Sequence, residues 1–402
     1  MNDMVVACVQ PRMGIYQSAA EFEAEARRFL RQAQAKGARI TIFPEFAGLM
    51  LAPPLISGLK LGFVKREDQA KRPGAGLLSR SVGGVSAVAA GALGGGFRGS
   101  LDRLLRKKSA ELVDLYCQTF GNLAREFGTV IVGGSLYLYD SETGTVRNRA
   151  YVFDVDGAML GCQDKLNLAP DERGLASPGS DLSVIETRFG RLGLLIGWDL
   201  LYPELARLLA MQGADLLISV AASTGAAQAN ALRSTLAVRV EENQVFGAAS
   251  FLLGPNYLGW DKREEFFGQS ALLAPISLTK KGDGILVQAG SNRTEGIIAA
   301  ELDAEKLEGL RETSRFRPRR EMHLGNVGPM LGEVYQAGLT IEAAIEQQLG
   351  GPAASVPEAP AEPVEAPPEA EPTEEPPEAE PSSVEPSVPE ALSLTGHNEP
   401  EA

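Results

Sequence analysis

Histidine and cysteine are scarce in this chain of 402 residues. It has two histidines, His323 and His397, and three widely spaced cysteines, Cys8, Cys117 and Cys162, with no C-x-x-C pair. Two distant histidines argue against a multi-histidine metal site and against a Ser-His-Asp or Cys-His mechanism. Isolated cysteines, odd in number, predict neither a disulfide framework nor a thiolate zinc site. We therefore expect no metal, no cofactor and a reducing, cytoplasmic compartment.

The chain also lacks long apolar runs and, outside its last 52 residues, an excess of basic residues. No stretch reaches the eighteen or so apolar residues of a spanning helix, and the first residues have no basic segment typical of a secretory signal. The net charge is −14, but residues 351–402 contain thirteen Glu and no Lys or Arg. Residues 1–350 thus carry a charge near −1, which does not favour nucleic acid as a partner.

The C-terminal part of the chain differs in composition from the rest. Residues 351–402 hold thirteen Pro beside the thirteen Glu. Such a tail buries too little apolar surface to offset the entropy of ordering, so we predict that it is disordered and extended. Residues 326–350 are predicted to form a helical C-terminal extension. Its one helix is expected within Gly325–Leu349. The folded domain is expected to span residues 1–325.

Residues 47–108 form an unusual insert in this domain. Gly74–Phe97 is rich in Gly, Ala, Ser and Val, and residues 60–108 contain eleven basic and three acidic residues, a charge of +8. Two interpretations stay open. The insert is a flexible Gly-rich loop with solvated charges, or it contacts an anionic membrane surface or partner, because an apolar patch beside basic residues suits anionic lipid. The second would place the protein peripherally at the membrane.

The rest of the chain alternates short apolar strands with amphipathic helices, which predicts an α/β fold. The predicted strands are Met4–Gln10, Arg39–Phe43, Thr129–Val132, Ser135–Tyr139, Arg147–Asp154, Ala158–Asp164, Leu182–Thr187, Arg191–Ile196, Asp215–Val220, Phe246–Phe251 and Gly296–Asp303. The predicted helices are Glu21–Lys36, Ser109–Phe127, Pro203–Gln212, Arg233–Asn243 and Ala304–Glu312.

The most informative stretch runs from Arg191 to Glu204, RLGLLIGWDLLYPE. It is an apolar strand that breaks at Gly197 and turns into a helix at Pro203, where a missing N–H is harmless. This strand-to-helix elbow resembles the nucleophile elbow of the nitrilase, or carbon–nitrogen hydrolase, superfamily, whose pattern is G-x-x-I-C-[YWF]-D followed by P-E. The matching residues are Gly193, Ile196, Trp198, Asp199, Pro203 and Glu204. Gly197 stands where the family has its cysteine.

Two further blocks resemble the same family. Phe43-Pro44-Glu45 follows the second strand, and F-P-E is how the family presents its general base, so the resemblance assigns that role to Glu45. Lys165-Leu-Asn-Leu-Ala-Pro-Asp-Glu172 resembles the K-x-x-L-x-P-x-E block. There Lys165 corresponds to the lysine that holds the oxyanion and Glu172 to the second, structural glutamate. Cys162 is three residues from Lys165 on a strand, so its side chain should point to the opposite face.

The resemblance implies a four-layer α-β-β-α sandwich that pairs into a homodimer through the helix after the elbow. It also implies a ligand of the small amide, nitrile or acyl kind, and we expect Trp198, Asp199 and Tyr202 to contact it. Glycine has no side-chain atom that could form the family's covalent intermediate. Three hypotheses follow: a catalytically silent binder of a small ligand or partner, a residual hydrolase in which Glu45 activates water, or a scaffold acting through insert and tail.

Overall fold

The computed structural model describes residues 3–56, 96–258, 265–316, 324–336 and 338. The chain divides into two compact units, Met1–Met322 and His323–Ala402. The tail, 351–402, and most of the insert, 57–95, lie outside the described residues. Within the described part, no helix is long and apolar enough to cross a membrane.

Two six-stranded sheets form the first unit. In the first sheet the order is β14-β1-β2-β3-β4-β5, and in the second it is β13-β12-β9-β8-β7-β6. The strands are β1 Met4–Gln10, β2 Ala38–Ile42, β3 Val130–Asp140, β4 Thr145–Phe153, β5 Met159–Asp164, β6 Ile185–Thr187, β7 Gly190–Ile196, β8 Leu216–Ala221, β9 Phe246–Phe251, β12 Ala271–Leu273, β13 Ile285–Gln288 and β14 Gly296–Leu302; β10 Gly254–Pro255 pairs separately with β11 Glu265–Phe266.

Both sheets have a parallel centre and antiparallel margins. Strands β1, β2 and β3 are parallel in one sheet, as are β7, β8 and β9 in the other. The remaining neighbours, such as β1 with β14 and β6 with β7, run antiparallel. Because the carboxyl ends of parallel strands meet at one edge of a sheet, each centre brings three strand ends together, and ligands bind at such edges.

The helices are α1 Ala19–Ala35, α2 Gly96–Phe127, α3 Pro203–Met211, α4 Ala226–Asn243, α5 Ala304–Thr313 and, in the second unit, α6 Leu324–Gln336. Helix α1 begins where Ser18 Oγ accepts a hydrogen bond from the backbone N–H of Glu21, a side-chain cap. Its buried face consists of Phe22, Ala26, Phe29, Leu30 and Ala33. Helix α3 begins at Pro203, as predicted.

The inner faces of the two sheets pack against each other. Leu192, Leu194 and Ile196 of β7 join this central core with alternate residues of the opposite sheet. Leu195, on the outer face, packs instead with residues of α3 and α4. Helices α1 and α2 cover the outer face of the first sheet in the same way. The architecture is therefore the predicted α-β-β-α sandwich.

The structure differs from the predictions in several elements. Helix α2 begins at Gly96 rather than Ser109, with a kink at Lys108, so part of the predicted insert is helical. Strand β3 is one strand rather than two, because the chain continues through an irregularity between Val132 and Ser135. Strand β13 was not predicted.

Candidate active site at the ends of the central strands

Glu45 lies just beyond the carboxyl end of β2 and is 1% exposed. Its Oε1 accepts hydrogen bonds from Lys165 Nζ at 2.8 Å and from Asn148 Nδ2 at 3.0 Å. Its Oε2 accepts from the backbone N–H of Ala222, at the end of β8, at 3.0 Å. These bonds fix both oxygens, so the carboxyl group has one orientation.

Gly197 lies at the end of β7, where the strand passes into a 3-10 turn, Gly197–Leu201. Its φ is +53°, in the left-handed region that favours glycine. A Cβ built on Gly197 would be 2.7 Å from Glu45 Oε2 and 2.9 Å from Lys165 Nζ. Glu45 and Lys165 therefore converge on the position from which a side chain at residue 197 would project.

Lys165 connects the two buried glutamates. It follows β5, its backbone N–H donates to Asn148 O, and its side chain is 2% exposed. Besides the contact with Glu45, Nζ is 2.5 Å from Glu172 Oε2. A single buried ammonium group thus neutralises two carboxylates only in part, and the remaining charge must be met by hydrogen bonds.

Asn148 and Tyr137 supply those hydrogen bonds, and neither was predicted from the sequence. Asn148 Nδ2 donates to Glu45 Oε1 and also to Glu172 Oε1, each at 3.0 Å. Tyr137 Oη donates to Glu172 Oε1 at 3.0 Å. Both side chains are almost fully buried. Asn148 therefore holds the two glutamates together, with a neutral donor that adds no charge.

Asp199, expected to contact a ligand, is instead bonded to backbone. Its carboxylate accepts from the N–H groups of Leu166 and Asn167, the latter at 2.6 Å, and from that of Ile196 at 3.3 Å. These bonds join the elbow to the segment that carries Lys165. Asp199 thereby fixes the distance between Gly197 and Lys165.

Burial and mutual charge shift the pKa values of this cluster. Burial raises the pKa of Glu45 to about 7; the charge of Lys165 opposes this, while that of Glu172 adds to it. Burial also raises the pKa of Asp199 to about 6, against the backbone hydrogen bonds that it accepts. For Lys165 burial lowers the pKa, but the two adjacent glutamates outweigh it and the pKa is raised. The lysine is therefore charged at neutral pH, whereas Glu45 exchanges a proton there.

The raised pKa of Glu45 predicts a pH-dependent stability. Between about pH 4.5 and about pH 7 the folded protein holds a proton on Glu45 that the unfolded chain has released, so stability falls as pH rises. One such proton gives a slope of up to about 1.4 kcal/mol per pH unit. We expect the free energy of unfolding of Glu45→Gln, measured by urea denaturation, to lack this part of the pH dependence. Equal slopes in the two proteins between pH 5 and 7 would contradict the assignment.

A cavity of about 500 Å³ opens onto the cluster. Glu45, Lys165, Glu172 and Trp198 line it; Tyr202 does not, being 43% exposed at the start of α3. The other described lining residues are Phe46, Leu101, Tyr137, Ala169, Pro170, Asp171, Leu175, Ala222, Thr224, Gln228, Asn256, Leu258 and Phe266. The structure thus brings four of the predicted residues to one cavity, while Asp199 lies behind it and Tyr202 outside it.

None of the three cysteines lines this cavity. Cys8 is buried in the central core, Cys117 on α2 packs against the core of that side, and Cys162 is exposed on β5. Burial raises the pKa of the Cys8 and Cys117 thiols, that of Cys117 to about 11. In the part of the chain that the structure describes, no group of three His, Cys, Asp or Glu side chains could hold a metal ion.

Comparison with known proteins gives matches at three levels. Residues 5–312 match the sequence profile of the carbon–nitrogen hydrolase family. Omega-amidase NIT3 of Saccharomyces cerevisiae is 30% identical over 215 residues, which cover 50% of this chain and 69% of that protein. A carbon–nitrogen hydrolase from Helicobacter pylori G27 superposes with a TM-score of 0.59 and 21% identity, over 82% of this chain and 98% of that one.

A third relative is also known from a solved structure. It is a variant of an amidase from Nesterenkonia sp. AN1, in which acrylamide has added to the active site cysteine. It superposes with a TM-score of 0.53 and 19% identity, over 84% of this chain and 100% of that one. At such identities the structural matches show the fold, which agrees with the four layers described above.

Proposed function

The chain belongs to the carbon–nitrogen hydrolase family, and from this membership we propose that it binds a small amide or acyl ligand without hydrolysing it. One observation carries the proposal. At the elbow where the family pattern has its cysteine, the residue is Gly197, and the buried base and cation stand within 3 Å of where its Cβ would be.

Hydrolysis by the family's route needs an atom that glycine lacks. A thiolate attacks the carbonyl or nitrile carbon, forms a covalent intermediate and is released by water. Loss of a nucleophile costs roughly 10⁶-fold in turnover in a hydrolase that also works through a covalent intermediate. Since none of the three cysteines lines the cavity, no other thiol is placed to take over.

Two polar atoms crowd the space beside Gly197. A Cβ on Gly197 would lie 2.7 Å from Glu45 Oε2 and 2.9 Å from Lys165 Nζ. This crowding supports a site that binds a ligand rather than one that attacks it.

Two donors remain suited to a carbonyl oxygen. Lys165 lines the cavity, and its contacts with Glu45 and Glu172 use two of its three N–H hydrogens. Trp198 also lines the cavity, and its buried Nε1 has no hydrogen-bond partner among the described residues. An unsatisfied buried donor costs about 1–3 kcal/mol, which a ligand oxygen would recover. We infer that an amide or acyl oxygen accepts a hydrogen bond from one of these donors.

One observation favours a second candidate, a slow hydrolase that uses water. Burial raises the pKa of Glu45 to about 7, which suits a general base at neutral pH. Such an enzyme would release ammonia from amides without any covalent intermediate.

Ammonia release separates the two candidates. We expect the protein to release no ammonia from primary amides above the rate without protein, and Glu45→Ala to leave this result unchanged. Tyr202→Ala, at an exposed position outside the cavity, is the matched control for handling and folding. Ammonia production by the unmodified protein and by Tyr202→Ala, but not by Glu45→Ala, would replace the silent binder with the water-based hydrolase.

A further inference from the structure

Helix α2 consists of two segments. Lys108 has φ −138° and ψ 23°, which is not helical, so the axis breaks between residues 96–107 and residues 109–127. A residue of this kind between two helices is suited to be a hinge, because a change in its dihedral angles turns one segment against the other. The first segment lies within the predicted insert, whereas the second is the predicted helix Ser109–Phe127.

The second segment is fixed to the first sheet. Ser109 Oγ accepts a hydrogen bond from the backbone N–H of Tyr139 at 2.7 Å, and Tyr116 Oη donates to Gly134 O at 3.2 Å. Its large apolar side chains are 0% exposed in the core beneath the helix: Leu112, Tyr116, Phe120 and Leu123. Directional hydrogen bonds and apolar packing along its length therefore hold this segment in place.

The first segment covers the cavity. Leu101 is 0% exposed and lines the cavity, and Leu104 and Leu105 are buried in the same core cluster. Arg103 and Lys107 face away from this core and are exposed. Among the described residues, this segment is thus a single layer between solvent and cavity. The described side chains that it buries are leucines, whose contacts have no preferred direction, so the segment can move as a unit.

We propose that the first segment of α2 is a cover for the cavity, and that it turns about Lys108 to admit and release a ligand. When the cover turns outward, Leu101 leaves the cavity wall and the cavity opens to solvent on that side. Burial of the leucines returns the cover, because it removes apolar surface from water. Covers of this kind exclude water from a site and set the rate of ligand exchange. The inference concerns access and holds whether the ligand is hydrolysed or only bound.

Two cysteine variants of the same helix test the motion. Leu101→Cys and Leu112→Cys replace leucines that are both 0% exposed, one on the cover and one beyond the hinge. Iodoacetamide labels the thiols under native conditions, and peptide mass spectrometry separates the new thiol from Cys8, Cys117 and Cys162. We expect Leu101→Cys to be labelled at least about tenfold faster, after both rates are corrected for the unfolded fraction obtained from urea denaturation. Equal corrected rates, or no labelling at either position, overturn the proposal.

Hydrogen exchange in the unmodified protein tests the same motion without a substitution. Backbone amides of residues 101–107 should exchange faster than those of residues 112–123, and as one group, because the cover opens as a unit. This measurement decides the question if either cysteine variant does not fold. The same protection along both segments of α2 would overturn the proposal.

A third experiment tests whether the cover controls access. Thr224→Cys places a thiol in the cavity wall just before α4, and its labelling by N-ethylmaleimide is followed. Adding Leu104→Ala, at a buried cover position outside the described cavity wall, should speed this labelling at least about fivefold. Adding Leu112→Ala, the same truncation beyond the hinge, should change the rate no more than its loss of stability explains. Equal effects of the two alanine substitutions would overturn the proposal, since the cover would then not lie on the ligand's path.

Discussion

Replacing Lys165 by methionine lowers the free energy of unfolding by about 3–5 kcal/mol, the cost of breaking a buried ion pair by removing one partner. The reason is the pair of carboxylates left behind. Glu45 and Glu172 are nearly fully buried and both contact Lys165 Nζ. Without it they retain only neutral donors, from Asn148, Tyr137 and the backbone. Chemical denaturation at pH 7.5 measures the loss.

The chain offers a matched control for this change. Lys306 Nζ lies 2.5 Å from Asp303 Oδ2, as close as Lys165 lies to Glu172, but its side chain is 69% exposed. Exposed pairs contribute little because solvent screens them, so Lys306→Met should have at most a small effect. If the two methionine variants lose the same stability, the buried cluster is not under the electrostatic constraint described above.

Replacing Gly197 by alanine lowers the free energy of unfolding by about 2–5 kcal/mol. A left-handed backbone costs a residue with a side chain roughly 1–2 kcal/mol. The new methyl group would also meet Glu45 Oε2 at 2.7 Å and Lys165 Nζ at 2.9 Å. Crowding of this kind typically adds 1–3 kcal/mol, because both side chains are held by other bonds and cannot move freely.

Gly128→Ala separates the two costs. Gly128 has a φ of +59°, close to the +53° of Gly197, but a Cβ there would meet nothing within 4 Å. It should lose only the backbone part, about 1–2 kcal/mol. Equal losses in the two alanine variants would mean that Glu45 and Lys165 withdraw easily from a side chain at residue 197.

Much of the fold could be predicted because its signals are local. The limits of β1, Met4–Gln10, and of β9, Phe246–Phe251, agree with the predictions residue for residue. The start of α3 follows from Pro203. Helix α2 is longer than predicted. The many basic residues of its first turns fall within the predicted insert, so they gave no sign of a helix. The irregular strand β3 was divided at Gly133-Gly134, since glycine pairs usually end a strand.

The candidate site was predictable only where a motif marked it. Glu45, Lys165 and Glu172 stand in recognisable blocks, and the structure brings both glutamates within hydrogen-bond distance of Lys165. Asn148 lies between Arg147 and Arg149 on β4 and resembles a polar residue of an ordinary strand. Its contact with both glutamates depends on pairing between strands that are distant in sequence, and no local pattern reports that.

Asp199 shows a second limit of prediction from the sequence. A carboxylate two residues after the nucleophile position is a natural candidate for ligand contact. The fold instead turns it toward the N–H groups of Leu166, Asn167 and Ile196. Which side of the elbow it faces is decided by the path of the segment after β5, which the sequence does not specify locally.

Calorimetric titration with butyramide tests the central claim most directly, because one trace reports both binding and hydrolysis. A protein that binds without turnover gives heats that saturate, and the power returns to the baseline after every injection; we expect this result at pH 7.5. A power that stays displaced after each injection, in proportion to protein concentration, and that disappears in Glu45→Ala would contradict the account and show that amide hydrolysis continues without a thiol at Gly197.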